Sequence, residues 1–310
     1  MDANTVKLEN VFFNGSEDNR LCGTLYHIGT GSKVSDDQLP PIILMHGGGQ
    51  TRHSWHGTAI QLAMRGHRAI TVDARGHGES EWVPSQNYSF DHFQADLRHL
   101  TFQIAERWGS AQRAPVVVGA SMGGLSAMFA QAPERDEECS ALFSAIVLVD
   151  ITPRMERTGV EKIMGFMSKD MRSGFETIEQ AAEAVASYMP HREKPKSLDG
   201  LRKNLRQKED GRWYWHWDPA FVDGPVNISH RREDGLDELF HAVRQIKVPT
   251  LLVRGGKSEL VSKEAADEFL DMVPHAKFVD VTDAGHMVAG DKNDIFASAV
   301  LDFLEAEFTG

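Results

Sequence analysis

Two cysteines in 310 residues, Cys22 and Cys139, are too few and too far apart for a disulfide framework or a cysteine-based metal site. Each is expected to be a small buried side chain. Long apolar runs are missing as well: no stretch approaches the ~20 residues that span a bilayer. Positive charge is in short supply, with 33 Lys and Arg against 45 Asp and Glu and a net charge of -12. That balance excludes the electrostatic footprint of a nonspecific binder of nucleic acid or of an anionic membrane. There is no H-E-x-x-H, no dinucleotide-type glycine fingerprint and no Cys/His cluster, so neither a metal nor a cofactor is expected. Met1–Lys7 has no basic segment followed by an apolar run. No secretory signal is therefore expected, and a cytoplasmic location is.

The length suffices for one large core with or without an insertion, and it leaves a homo-oligomer open. Short β-branched runs alternate with longer helical patterns, the rhythm of an α/β protein with a mainly parallel sheet. Val6–Phe12 and Leu21–Ile28 read as an antiparallel hairpin. Pro41–Met45, Ala69–Val72, Pro115–Val118, Ala145–Val149, Thr250–Val253 and Lys277–Val281 read as further strands, several of them apolar throughout, as expected when both faces are buried. Helices are expected around Trp55–Arg65, Tyr88–Trp108, Leu125–Gln131 and Asn293–Glu307. From Ile151 to about Gln245 the pattern is helical, with candidates at Glu156–Lys169, Ile178–Tyr188 and Leu236–Val243 and no convincing buried strand. The chain thus divides into a core of residues 1–150 and 246–310 and an inserted stretch, 151–245.

Gly119-Ala120-Ser121-Met122-Gly123 follows the strand Pro115–Val118 directly and precedes a helix. A G-x-S-x-G between strand and helix suits a sharp turn that lifts a serine hydroxyl above a sheet. A serine becomes a useful nucleophile only with a base, a group that orients the base, and donors for the developing oxyanion. His286, in the loop between the last strand and the last helix, is the candidate base, because loops at the carboxyl ends of parallel strands meet above one edge of the sheet. The backbone N–H groups of Met122 and Gly48 are the candidate oxyanion donors, the second from the Gly47–Gly49 turn that His46 would brace. Two carboxylates compete for the third place. Asp150 ends the strand after the elbow helix; Glu259 lies in Gly255-Gly256-Lys257-Ser258-Glu259, where Ser258 stands at the position of an expected aspartate.

These segments, in the order His46–Gly49, Asp73–Ser80, Gly119–Gly123, Asp150, Gly255–Ser262 and His286, resemble the α/β-hydrolase superfamily of the prolyl-iminopeptidase, epoxide-hydrolase and esterase type. The resemblance implies an eight-stranded, mainly parallel sheet with helices on both faces and a helical lid made by 151–245. It favours Asp150 as the acid after the sixth strand and makes Asp73–Gly78 a structural turn. It implies a cofactor-independent serine hydrolase acting on a small-molecule acyl substrate (a carboxylic ester, thioester or lactone) through an acyl-enzyme. Carbon–carbon or amide cleavage by the same triad, and a ligand receptor with a slow triad, are the alternatives. An aspartate-nucleophile dehalogenase or epoxide hydrolase is disfavoured by the serine. Within the inserted stretch, Trp213, Trp215 and Trp217 alternate and would share one face of an extended segment; with Ser258, which could also hydrogen-bond to the acid or the histidine, they are the candidate pocket residues.

Overall fold

A computed structural model describes residues 5–29, 39–108, 114–131, 141–190, 197–229, 235–286 and 293–309. The expected hairpin is present as β1 (Val6–Asn14) and β2 (Arg20–Ile28), paired antiparallel from Val6–Ile28 to Asn14–Arg20. The four-residue strands β3 (Ile42–Met45) and β4 (Ala69–Val72) follow, then β5 (Val116–Ala120) and β6 (Ala145–Val149). After the inserted stretch come β9 (Thr250–Gly255) and β10 (Lys277–Val281). These strands form one eight-stranded sheet in the order β1-β2-β4-β3-β5-β6-β9-β10. Among the described residues every pairing from β4 to β10 is parallel, and β2 runs against both its neighbours.

The continuous apolar runs are explained by burial on both faces. Ile43, Met45, Val117, Ile146, Leu148 and Leu252 enter one core, and the alternate residues Ile42, Leu44, Val116, Val118, Val147 and Leu251 enter the other. A fully buried aliphatic side chain of this kind is worth about 1.5–3 kcal/mol relative to exposure. Helices α2 (Phe90–Trp108) and α3 (Met122–Gln131) cover the first face. Helices α1 (His56–Met64) and α10 (Asn293–Phe308) cover the second, where Ala59 and Leu62 share a core with Phe296 and Val300. Helix α9 (Lys263–Met272) buries Ala266 and Phe269 in the first core. The chain is an α/β protein with helices on both faces of its sheet.

Between β6 and β9 the chain forms α4 (Arg157–Ser168), α5 (Ile178–Tyr188), α6 (Asp199–Arg202), α7 (Ala220–Asp223) and α8 (Gly235–Arg244). Besides these helices, β7 (Leu205–Gln207) and β8 (Trp213–Trp215) pair there as a small antiparallel hairpin, which was not expected as such. β8 falls in the extended segment that the alternating tryptophans marked, whereas the three residues of β7 carry no alternation of their own. Helix α8 packs against α3 and buries Leu239, Ala242 and Val243, so it belongs with the layered body rather than above it. Cys22 is buried and free, and burial pushes its thiol up to about 11; Cys139 lies outside the described residues. No helix among those described is long and apolar enough to cross a membrane.

Candidate active site

Ser121 is the single residue between β5 and α3, and its backbone sits at φ 46°, a left-handed conformation that non-glycine residues seldom adopt. Its N–H donates to the Val149 carbonyl at 3.2 Å and its own carbonyl accepts from Leu125 N at 3.0 Å. The turn closes only because its flanking positions are glycine. A Cβ on Gly119 would lie 2.6 Å from the Gly123 backbone, and one on Gly123 would lie 2.6 Å from the Met45 carbonyl oxygen. Helix α3 therefore starts at Met122, three residues before the apolar periodicity suggests. The Met122 N–H falls in its first turn, where no intrahelical acceptor exists.

Asp150 occupies the matching place at the end of the adjacent parallel strand, at φ 48° and fully buried. Three donors converge on its carboxylate. Gly255 N donates to Oδ1 at 2.8 Å, and Ser258 Oγ and His286 Nδ1 donate to Oδ2 at 2.5 and 2.7 Å. A buried carboxylate is tolerated when its lone pairs are satisfied in this way. The bond from Nδ1 leaves the His286 Nε2 lone pair free, the tautomer that can accept a proton. The histidine loop can come down on β9 because Gly255 has no side chain: a Cβ there would lie 2.2 Å from the Gly285 carbonyl oxygen. His286 keeps one-fifth of its side chain exposed, while Asp150 has none. Among the described residues no hydrogen bond joins Ser121 Oγ to His286, a contact that in catalytic sites often tightens only with substrate bound.

Ser258, expected to line a pocket or to hydrogen-bond the acid or the histidine, bonds the Asp150 carboxylate. Its Oγ accepts from Leu260 N and Val261 N, each at 3.1 Å, so its one proton is directed to Asp150. Glu259 points the other way and pairs with Lys162 at 2.5 Å on the surface. Of the two carboxylates, the one that His286 reaches is Asp150, at 2.7 Å.

The Gly47–Gly49 turn follows β3 beside the elbow, and a Cβ on Gly47 would lie 3.3 Å from Ser121 Cβ. Gly47 N donates to Gln50 Oε1 at 3.3 Å and Gly49 N donates to His77 Nε2 at 3.1 Å. The Gly48 N–H has no acceptor among the described residues. His46 does brace this turn, its Nδ1 bonding the Gly47 carbonyl at 2.8 Å and its Nε2 accepting from Ala74 N at 3.0 Å. Above the turn, Met167 from α4, Trp217 and Phe221 form an apolar ceiling. The Trp217 ring and the Met167 methyl come within 3.4 and 3.1 Å of where a Gly49 Cβ would stand, and Phe221 within 3.4 Å of the Gly48 position. Of the three tryptophans only Trp217 reaches the turn. Trp215 stacks on it at 4.9 Å and packs against Phe166 and Phe175, while Trp213 lies under Arg202. Met167 and Phe221 had no signal in the sequence, because an isolated apolar residue on a helix does not announce what it covers.

Cys22, Asp73 and Glu79 bring potential metal-ligating atoms within 4.8 Å of one another. The Arg52 guanidinium already pairs with both carboxylates, so the group has its cation and no metal is assigned to it.

Burial lowers several histidines, four of them strongly: His46 and His67 to about 4, His77 to about 3, and His216 well below its ordinary value. Below about pH 6.5 the unfolded chain takes up protons that these native imidazoles refuse. Stability is therefore complete above that pH and falls as the pH drops toward 4, by roughly 1.4 kcal/mol per unit for each such histidine. Urea titrations between pH 7 and 4.5 should show this slope, reduced by about one proton in His67→Gln; an unchanged slope in that variant would refute the assignment for His67.

The alpha/beta hydrolase fold family model matches residues 40–292. Esterase Rv0045c of Mycobacterium tuberculosis is 29% identical over 261 residues, covering 82% of this chain and 78% of the relative. The mouse sn-1-specific diacylglycerol lipase ABHD11 is 28% identical over 287 residues, covering 87% and 82%. Among solved structures, an alpha/beta hydrolase from Novosphingobium aromaticivorans superposes with a TM-score of 0.76 at 22% identity, over 97% of this chain and 99% of that one.

Proposed function

This chain belongs to the alpha/beta hydrolase fold family, and from that premise we propose that it is a serine hydrolase that cleaves a carboxylic ester, thioester or lactone through an acyl-enzyme. The observation that carries this reading is the convergence of Gly255 N, Ser258 Oγ and His286 Nδ1 on the buried Asp150 carboxylate, at the strand end next to Ser121. A fully engaged carboxylate holds the imidazole in one orientation and one tautomer and stabilises the imidazolium that forms. Ser121 Oγ attacks the carbonyl carbon while its proton passes to His286 Nε2. The N–H groups of Met122 and Gly48 receive the oxyanion. His286 then returns the proton to the leaving alcohol or thiol, and the acyl group stays on Ser121. A water, deprotonated by His286, releases the acid by the same steps in reverse order.

The inserted stretch, α8 excepted, serves in this reading as the lid. Its ceiling of Met167, Trp217 and Phe221 carries no charge and supports an apolar acyl group. The esterase and lipase named among the relatives point to the same chemistry. The net charge of -12 supports a freely diffusing, small-molecule enzyme. The test is intact-mass spectrometry after incubation with a fluorophosphonate, alongside p-nitrophenyl esters of increasing chain length. A single adduct on the peptide that contains Ser121, with ester turnover, is the expected result. Neither adduct nor turnover would favour the receptor alternative.

A further inference from the structure

The turn that holds the Gly48 N–H is built from three successive glycines, the least constrained backbone available. Either peptide plane could flip and offer Ser121 a carbonyl in place of an amide, so something must hold each plane. Because a trans peptide fixes its C=O and N–H in opposite directions, anchoring one group aims the other. The plane between Gly47 and Gly48 is held through its carbonyl, which receives His46 Nδ1 at 2.8 Å and Gln50 N at 3.1 Å. That anchor turns the Gly48 N–H the opposite way. The next plane, between Gly48 and Gly49, is held from a different loop: its N–H donates to His77 Nε2 at 3.1 Å.

His77 is suited to that task in three ways. Its Nδ1 donates to the Arg75 carbonyl at 2.9 Å, so the ring's single proton is committed and Nε2 is an acceptor. It is fully buried and remains neutral throughout the physiological range. Its ring is also wedged in place, edge-on to Phe221 at 4.7 Å and beside His46 at 5.2 Å. Phe221 comes from the inserted stretch, which is itself fastened to the His77 loop. Gly78 N donates to His216 Nδ1 at 2.6 Å, Arg206 donates to the Gly78 carbonyl, and Asp218 N donates to the Gly76 carbonyl at 2.8 Å.

We propose that His77 is a positioning residue for the oxyanion hole: by capturing the Gly49 N–H it fixes the second peptide plane of the glycine turn, so that the Gly48 N–H alone faces Ser121. The inference rests on the serine-hydrolase reading and goes beyond it, because it assigns a function to the Asp73–Ser80 turn, for which the resemblance implied a structural role. It also makes oxyanion geometry depend on the seating of residues 206–221, whose Phe221 holds the imidazole.

The experiment compares His77→Leu, which removes the acceptor, with His77→Gln, whose side-chain carbonyl can replace it. With p-nitrophenyl butyrate, His77→Leu should lose about 30- to 100-fold in kcat with KM within about twofold of the parent, since an oxyanion donor acts in the transition state. Inhibition by an alkyl trifluoromethyl ketone, which forms a tetrahedral oxyanion on the serine, should weaken in parallel. His77→Gln should recover at least about tenfold of the loss. A folded His77→Leu with kcat within threefold of the parent would overturn the proposal, as would a glutamine variant no better than the leucine one. Should His77→Leu not fold, nitrogen-15 histidine spectra of the unmodified protein decide: His77 protonated at Nδ1 at pH 7 supports the proposal, and protonation at Nε2 overturns it. A parent protein without ester turnover would defeat the hydrolase reading and this inference together, whereas an active parent indifferent to the substitutions defeats the inference alone.

Discussion

Ser121→Ala should produce a folded protein whose ester turnover has fallen by about 10⁴- to 10⁶-fold, the range seen when a triad nucleophile is removed elsewhere. The fold should survive for a local reason. Alanine at φ 46° meets the same steric cost as serine, and the lost Oγ has no hydrogen-bond partner among the described residues to leave orphaned. The melting temperature is expected to stay within a few degrees of the parent. Fluorophosphonate labelling should disappear in the same variant. Undiminished turnover in Ser121→Ala would remove the elbow from the mechanism altogether.

The second large effect is expected at Asp150. Three donors point at its two oxygens, and asparagine offers one oxygen and an NH₂ group that itself donates. At least one donor must then face another donor. If that donor is His286 Nδ1–H, the imidazole turns to the other tautomer and presents a proton, not a lone pair, to the serine. Asp150→Asn should therefore lower kcat by about 10⁴-fold, the loss reported by a comparable substitution in the serine-protease triad. Some stability should go with it, because a donor is left unpaired in a fully buried place.

Ser258→Ala separates support from catalysis. The carboxylate keeps Gly255 N and His286 but loses the hydroxyl that helps fix Oδ2, so the imidazole is less firmly oriented. The expected result is a milder fall in kcat, about tenfold, measured with the same p-nitrophenyl ester. Glu259→Gln should change nothing beyond its surface pair with Lys162, which is exposed and worth at most about 1 kcal/mol. If Glu259→Gln cost more activity than Asp150→Asn, the acid would have been misassigned.

Local patterns were enough for much of this molecule. The apolar runs Ile42–Met45, Val116–Val118 and Ala145–Val149 marked strands buried on both sides, because no other common element needs a continuous apolar stretch so short. G-x-S-x-G marked the elbow, since the backbone at Ser121 tolerates no side chain at the two flanking positions. The place of His286, between the last strand and the last helix, was legible too. Ser258 was readable as a partner of the acid or of the histidine, but the sequence does not show which of the two its hydroxyl meets. Its orientation depends on Leu260 N and Val261 N, two amides of its own loop that turn its proton toward Asp150.

The sequence by itself determined the eight strands of the main sheet and the strand–turn–helix around Ser121, because these follow from periodicity and from steric limits within a few residues. Only the tertiary structure put His286 against Asp150 and away from Glu259, gave Gly49 its acceptor on His77, and set Met167, Trp217 and Phe221 above the turn. Each of those outcomes joins residues far apart in the chain, such as Asp150 Oδ2 and His286 Nδ1 at 2.7 Å across 136 positions. Partnerships of that kind are fixed by which strand ends the sheet order brings side by side, and a linear pattern does not contain that order.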